Sequence, residues 1–330
     1  MSKPDILAVA KLHPFYMAAL QTVYTVHERA HEGDAAALAA FAELAPRIVG
    51  VASTGESRVS AELLAQLPNA KVVSVFGVGY DGVDTAAAIA RGVPVSHTPD
   101  VLTDDVADLA MGLLISVARK IPLADKYVRD GRWPSGAMAL GRKVTGARVG
   151  IVGLGRIGKA IAKRAQAFGM SIAYTARSER VDSGYRYFPS ARALAAEVDF
   201  LVVITPGGAG TRHLIDAGVL AALGAKGYLI NVARGSVVDE AALVNALQGG
   251  VIAGAALDVF ESEPNVPDVL WAMPHVVLTP HMASGTSETR QAMADLAFAN
   301  MQAGLAGKPL LTPVPECVAA TAPPTAATAG

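Results

Sequence analysis

The sequence predicts an α/β chain built on two doubly wound parallel sheets, and three observations predict it. Short apolar runs alternate with helical patterns over residues 6–98, and they do so again over residues 148–283. Such βα alternation makes parallel sheets covered on both faces. The second series opens on Val149-Gly150-Ile151-Val152-Gly153-Leu154-Gly155-Arg156-Ile157-Gly158. There a β-branched run enters three glycines spaced G-x-G-x-x-G, and a helical pattern leaves them. The first glycine permits the tight turn, the second lets the backbone approach a pyrophosphate, and the third lets the helix pack on the strand.

In the first series, residues 6–9, 48–51, 72–75 and 93–96 read as buried strands, with helices over 34–44, 61–67 and 84–91. The turn Phe76-Gly77-Val78-Gly79-Tyr80-Asp81-Gly82 follows the third strand. Ligands of open α/β sheets sit at strand carboxyl ends, and two glycines there can expose backbone N–H groups to a small anion. Thr103-Asp104-Asp105 then supplies an N-cap and an acidic first turn for a helix over 106–120. That helix reads as apolar on nearly every face. Such helices are buried, and subunit contact is one cover for it. In the second series, strands are expected over 148–152, 171–175, 200–204, 228–232, 254–259 and 275–278, with helices over 159–168, 191–196 and 240–248 between them. Residues 286–306 form a long helical pattern able to return to the first domain. The Ala/Thr/Pro-rich tail from Ala319 to Gly330 is expected to be disordered.

The totals bound the function. A chain of 330 residues is long enough for two domains. Its net charge of −1 gives no electrostatic reason for nucleic acid or an acidic membrane as partner. One cysteine, Cys317, rules out an intrachain disulfide and fits a reducing compartment. The longest apolar run, residues 109–118, is about half of a membrane span. The N-terminal residues lack a signal-peptide core, so a cytoplasmic protein is expected. No metal is expected.

An NAD-type fold carries Asp or Glu about 20 residues past the glycines, to hold the ribose 2′-OH. Here Ala176 stands at that place, followed by Arg177, Ser178, Glu179 and Arg180. Loss of the carboxylate removes a repulsion, and arginines offer charge-assisted bonds to a 2′-phosphate. NADP(H) is therefore expected over NAD(H). The alternative is a solvated charge run, which Glu179 would suit.

Three polar groups interrupt apolar strand ends beyond the glycine turn. They are Asn231-Val232-Ala233-Arg234-Gly235, Leu257-Asp258-Val259-Phe260-Glu261-Ser262-Glu263-Pro264, and Thr279-Pro280-His281. Reduction of a 2-keto acid needs a cation for the carboxylate, a proton donor for the carbonyl oxygen and a group that tunes the donor. Arg234 can grip a carboxylate with two parallel bonds. His281 is the natural acid, since histidine titrates near neutrality. Glu263 would orient its ring and favour imidazolium.

With these motifs the chain resembles the D-isomer-specific 2-hydroxyacid dehydrogenases up to about Pro315. Within them it is most similar to the glyoxylate/hydroxypyruvate reductases, through residues 76–81, 98–108 and 284–286 and the missing acid at Ala176. The resemblance implies two Rossmann-like or flavodoxin-like domains with a cleft between them. Residues 1–98, completed by 286–315, would bind substrate; residues 99–285 would bind NADP; residues 316–330 would be the tail. Arg234, Glu263 and His281 would be catalytic, Glu263 rather than Glu261 matching the family's glutamate. Val78 and Gly79 would hold the substrate carboxylate through backbone N–H, with Arg234 and His281. Gly153, Gly155, Arg156, Ile157 and Gly158 would bind cofactor, as would Thr103, Arg177, Ser178, Arg180, Thr205, Pro206, Val232, Ala233, Ser284 and Gly285. Asp258 would take the nicotinamide carboxamide. A homodimer through the helix following Thr103 is implied, with Trp133 reaching the partner's site. The segment Thr205-Pro206-Gly207-Gly208-Ala209-Gly210 departs from the family in its glycines, which suggests a more mobile turn. Three other functions share the pattern: a D-lactate-type enzyme, a phosphoglycerate-type enzyme, and a dinucleotide-sensing corepressor-like module.

Overall fold

The computed structural model, which describes residues 3–29, 35–55 and 57–321, divides after Leu102 and again after Gly285. Thr103–Gly285 is one unit, and the chain on either side of it is the other. Residues 99–102, expected with the second domain, cluster with the first.

The first unit holds β1 (Asp5–Ala8), β2 (Thr25–Glu28), β3 (Ile48–Thr54), β4 (Val73–Phe76) and β5 (Val95–Ser96), all parallel, in the order β2-β1-β3-β4-β5. This is the flavodoxin-like order. β1 and β4 are buried along their whole length, as their apolar runs predict. β2 escaped the hydrophobic pattern because Thr25-Val26-His27-Glu28 is a half-exposed edge. Pairing with β1 makes it a strand, and Asp5 accepts from His27 at 2.7 Å across that pair. The unpredicted helix Pro14–Val23 precedes it, with proline at the first position.

The helix Ser287–Leu305 belongs to this unit. Ser74 Oγ donates to Ala297 O at 2.8 Å, and a Cβ on Gly304 would stand 2.5 Å from Val72 Cβ. Small residues thus let the helix lie against the sheet. The expected disorder from residue 316 onward is corrected in part. Pro315–Thr321 is a helix, because Cys317 is buried and its Sγ accepts from Val95 N at 3.3 Å, while Tyr80 Oη donates to the Glu316 carboxylate. Residues 322–330 of the expected tail, like Asp34 of the expected helix, lie outside the described residues.

The second unit holds β6 (Arg148–Val152), β7 (Ser171–Thr175), β8 (Arg186–Tyr187), β9 (Phe200–Val203), β10 (Tyr228–Asn231), β11 (Gly254–Leu257) and β12 (Val276–Leu278). They form one parallel sheet ordered β8-β7-β6-β9-β10-β11-β12. The order reverses between β6 and β9, and such switch points are where open α/β sheets bind ligands. The two-residue β8 and the helix Ala217–Leu223 were not predicted. The helix Thr103–Arg119 begins three residues earlier than expected, and it is not apolar all round. Asp104, Asp108, Gly112 and Arg119 make an exposed stripe, and Arg164 pairs with both aspartates. Its opposite face, including Val106, Ala110, Leu114 and Val117, is buried within its own unit. The expectation that this helix is apolar on nearly every face is therefore corrected. Among the described residues no helix is long and apolar enough to cross a membrane.

Candidate active site

β6 delivers the chain into the glycine turn at the switch point. Gly153 sits at φ 106°, in the left-handed region. A Cβ on Gly158 would stand 2.1 Å from Gly153 O, so the helix Arg156–Ala167 can lie against the turn only with hydrogen there. Gly155 is different. Its φ of −85° is ordinary, and an added Cβ would meet nothing within 4 Å. Open space therefore stands over the start of a 12-residue helix whose N-cap glycine offers no capping side chain. The N-terminal end of the helix dipole and the N–H groups of its first turn, which lie beyond the reach of the intrahelical ladder, face that space, the arrangement that takes a pyrophosphate. These residues fit a dinucleotide. Arg156 and Ile157 form the first turn of the helix, Arg156 exposed and Ile157 half-buried.

β7 lies beside β6 and ends at Thr175. Past that end Arg177, Ser178 and Arg180 are exposed, with no carboxylate at Ala176. Arg180 N donates to Tyr174 Oη at 2.6 Å, which holds the far side of the loop. Thr205 and Pro206 follow β9 at the same sheet end. Their glycine-rich turn closes on itself, since Thr211 Oγ1 donates to Pro206 O at 2.7 Å and Thr211 N to Gly208 O at 3.1 Å. Val232 and Ala233 are buried past the end of β10; Thr103 and Ser284 are half-buried, and Gly285 is exposed.

Arg234, Glu263 and His281, predicted from three separate strand ends, come together. His281 Nδ1 and Glu263 Oε2 are 2.7 Å apart, and Phe260 N donates to the other glutamate oxygen at 2.9 Å. Burial pushes the Glu263 carboxyl up. The His281 bond and charge, the Phe260 N–H and the Arg234 charge outweigh it and hold the carboxyl below its usual range. Glu263 is thus a carboxylate that accepts, and His281 Nδ1 carries the proton it donates. Glu261 is engaged elsewhere, by Arg212 at 2.7 Å and His213 at 3.0 Å. His281 itself sits at φ 48°. A non-glycine residue in that region costs about 1–3 kcal/mol, and such strain gathers at active sites.

In the first unit, the loop after β4 leaves Val78 and Gly79 half-exposed. Thr98 N donates to Gly77 O at 2.8 Å, and Val78 O accepts from His97 Nδ1 at 2.9 Å. Among the described residues, the N–H groups of Val78 and Gly79 meet no protein acceptor. The loop is held by its carbonyls and presents its donors.

Residues 111–283 match the model of the D-isomer specific 2-hydroxyacid dehydrogenase NAD binding domain. The chain belongs to the D-isomer-specific 2-hydroxyacid dehydrogenase family. It is 51% identical over 267 residues to a glyoxylate/hydroxypyruvate reductase A of Arabidopsis thaliana, covering 81% of this chain and 84% of that one. It is 44% identical over 313 residues to a 2-ketogluconate reductase of Gluconobacter oxydans, covering 95% and 99%. Among solved structures it is similar to an NADPH-dependent glyoxylate/hydroxypyruvate reductase of Sinorhizobium meliloti, in complex with NADP and malonate. The TM-score is 0.89 and the identity 47%, over 96% of this chain and 98% of that one.

This dehydrogenase is an oxidoreductase whose second unit takes a nicotinamide dinucleotide. Three residues of the strand-end motifs turn out to hold the site together, a role the sequence did not assign to them. Asp258, expected on the nicotinamide carboxamide, is fully buried and holds the histidine loop. It accepts from Thr279 Oγ1 at 2.6 Å and from Met282 N and Ala283 N at 2.9 Å each. Asn231 Oδ1 accepts from Ala233 N and its Nδ2 donates to Arg234 O, both at 3.1 Å, which sets the turn that carries Arg234. A Cβ on Gly235 would fall 1.9 Å from Phe260 O, so glycine there lets the Arg234 turn touch the loop of Glu263. Each of these residues interrupts an apolar strand end, and that is the signal that could have found them.

Proposed function

We propose that this dehydrogenase reduces small 2-keto acids, glyoxylate and hydroxypyruvate first, to D-2-hydroxy acids with NADPH. The observation that carries the reading is the His281–Glu263 pair at 2.7 Å, beside Arg234, on the unit that holds the glycine turn. Bound nicotinamide supplies the hydride. Arg234 binds the substrate carboxylate and polarises the keto oxygen, and His281 Nε2 gives that oxygen its proton. Glu263 orients the ring and balances the imidazolium. Val78 and Gly79 hold the carboxylate by backbone N–H. Gly153, Gly155, Arg156, Ile157 and Gly158 seat the pyrophosphate, and Thr103, Thr205, Pro206, Val232, Ala233, Ser284 and Gly285 line the rest of the cofactor, while Asp258, fully buried, acts through the loop it holds. Arg177, Ser178 and Arg180 take the 2′-phosphate, and the NADP complex of the Sinorhizobium relative supports that preference.

A homodimer in the cytoplasm belongs to the same reading. Its surface is the segment just past the helix Thr103–Arg119, where Ile121, Val128, Trp133 and Leu140 are exposed. Sedimentation equilibrium of the Leu140→Asp variant against the parent checks it, with a shift toward monomer expected.

The central experiment follows NADPH and NADH absorbance with glyoxylate, hydroxypyruvate, pyruvate, phosphohydroxypyruvate and 2-ketogluconate. Fastest turnover of the first two with NADPH is expected. Silence across the panel with tight cofactor binding would replace the enzyme by a dinucleotide sensor.

A further inference from the structure

The carboxyl end of the first sheet carries a second polar group that the chemistry above does not use. β1 and β4 flank β3 in parallel, so the segments after them emerge on one side. His13, past β1, stacks on Phe76, the last residue of β4, with ring centroids 5.6 Å apart and planes 7° from parallel. Arg290, in the first turn of the helix Ser287–Leu305, holds its guanidinium carbon 5.8 Å from the centre of the same ring. Phe76 is only two residues before Val78, hence at most about 7 Å from it along the chain. An aromatic surface with a histidine and an arginine beside it therefore adjoins the loop that presents the Val78 and Gly79 N–H groups.

The two side chains offer donors. His13 Nδ1 accepts from Phe15 N at 3.4 Å, which leaves the proton on Nε2. Burial, and then the charge of Arg290, push its imidazole down and keep it neutral. A guanidinium has five N–H donors and no acceptor. Two donor groups beside one aromatic ring recognise an oxygen acceptor; they do not favour a bare methyl group.

We infer that His13 and Arg290 form the subsite for the C3 substituent of the keto acid and select an oxygen there. This rests on the reading of Val78–Gly79 as the carboxylate anchor. With the carboxylate at that loop, C3 lies two bonds further on, and its substituent falls to the neighbouring donors. Hydroxypyruvate gains a hydrogen bond at this place; pyruvate sets a methyl group against a guanidinium; glyoxylate has no C3 and is indifferent to the pair.

The test measures kcat/KM for hydroxypyruvate, pyruvate and glyoxylate in three variants. Arg290→Met removes the cation, Arg290→Lys keeps it on a shorter head, and His13→Phe keeps the stack on Phe76 without the donor. In Arg290→Met, hydroxypyruvate is expected to lose tenfold or more relative to glyoxylate, and its advantage over pyruvate to collapse. His13→Phe gives a smaller loss in the same ratio, and Arg290→Lys an intermediate one, which also carries the test if Arg290→Met does not fold. Equal losses for all three acids, or unchanged ratios, would overturn the subsite while leaving the reductase reading in place. A parent protein that reduces none of the three overturns that reading and the subsite with it.

Discussion

The glycine turn and the histidine loop solve the same problem, holding chemistry at the end of a strand, by opposite means. At Gly153–Gly158 the backbone is the site. Three glycines make its shape, and each has a separate steric reason: a left-handed φ at Gly153, open space at Gly155 and a helix contact at Gly158. At Thr279–Ala283 the site is one side chain, His281, and its shape is imposed from outside. Asp258 reaches up from β11 to bind Thr279, Met282 and Ala283, and the strained φ of His281 is held by those bonds. A backbone site is fragile to an added carbon. A scaffolded side chain is fragile to the loss of its own functional group and of its buried support.

The largest effect expected is at the histidine. His281→Ala should lower kcat by about 10²–10⁴-fold, the usual worth of a general acid. NADPH affinity, read by fluorescence titration, should stay within about threefold, because the glycine turn does not depend on this loop. A large loss of affinity would break the contrast and make His281 a support of the cofactor site.

The glycines themselves divide next. Gly158→Ala puts a methyl group into Gly153 O and should cost about 1–3 kcal/mol or more of stability by overpacking. Gly155→Ala should melt with the parent, since its Cβ meets nothing and its φ suits alanine. It should still weaken NADPH binding tenfold or more. Thermal denaturation with and without NADPH separates the two; a Gly155→Ala protein that binds normally would remove the pyrophosphate from this turn.

The same contrast explains what could be read in the sequence. The glycine spacing encodes a conformation, so the turn, its strand and its helix were legible together. So were the chemical residues Arg234, Glu263 and His281, which stand out as polar groups on apolar strand ends. Their supports were not. Nothing in the order of residues says that Asp258 serves a loop 21 or more positions on, or that Gly235 is there for Phe260, because those contacts exist only once β10, β11 and β12 lie side by side. Edge elements were missed for a related reason. β2 and β8 bury little, so pairing makes them strands and hydrophobicity does not announce them. The helix Thr103–Arg119 misled in the other direction, since its alanines and Gly112 blurred an exposed stripe that the pairing of Asp104 and Asp108 with Arg164 makes plain.

A smaller effect is expected at the loop after β7, which is a backbone bend carrying side-chain chemistry and so lies between the two kinds of site. Arg177→Ala and Arg180→Ala should each cut the NADPH-to-NADH ratio of kcat/KM by about tenfold or more, from the loss of roughly 1.5–3 kcal/mol in a charge-assisted bond. NADH rates should hardly move. A fall of both cofactors together would mean that the arginines shape the loop and do not read the phosphate.

The finest discrimination lies within the His281–Glu263 pair. Glu263 is held below the usual carboxylate range against its burial, so it is charged at neutrality and stays charged into the acid range where a free glutamate begins to take up its proton. A depressed carboxylate stabilises the folded protein above its unfolded pKa, and that contribution is lost as pH falls through the folded value. Acid below that range should therefore loosen the histidine loop, while the proton used in the reaction is carried by the His281 imidazole. Reduction needs its proton, so kcat/KM should fall on the alkaline side. Glu263→Gln keeps a hydrogen-bond acceptor but removes the charge that favours imidazolium. Its falling limb should move to lower pH by about one unit, with the maximum rate reduced less than in His281→Ala. An unmoved limb would mean that the glutamate only orients the ring, and the histidine loop would then owe its chemistry to position, as the glycine turn does.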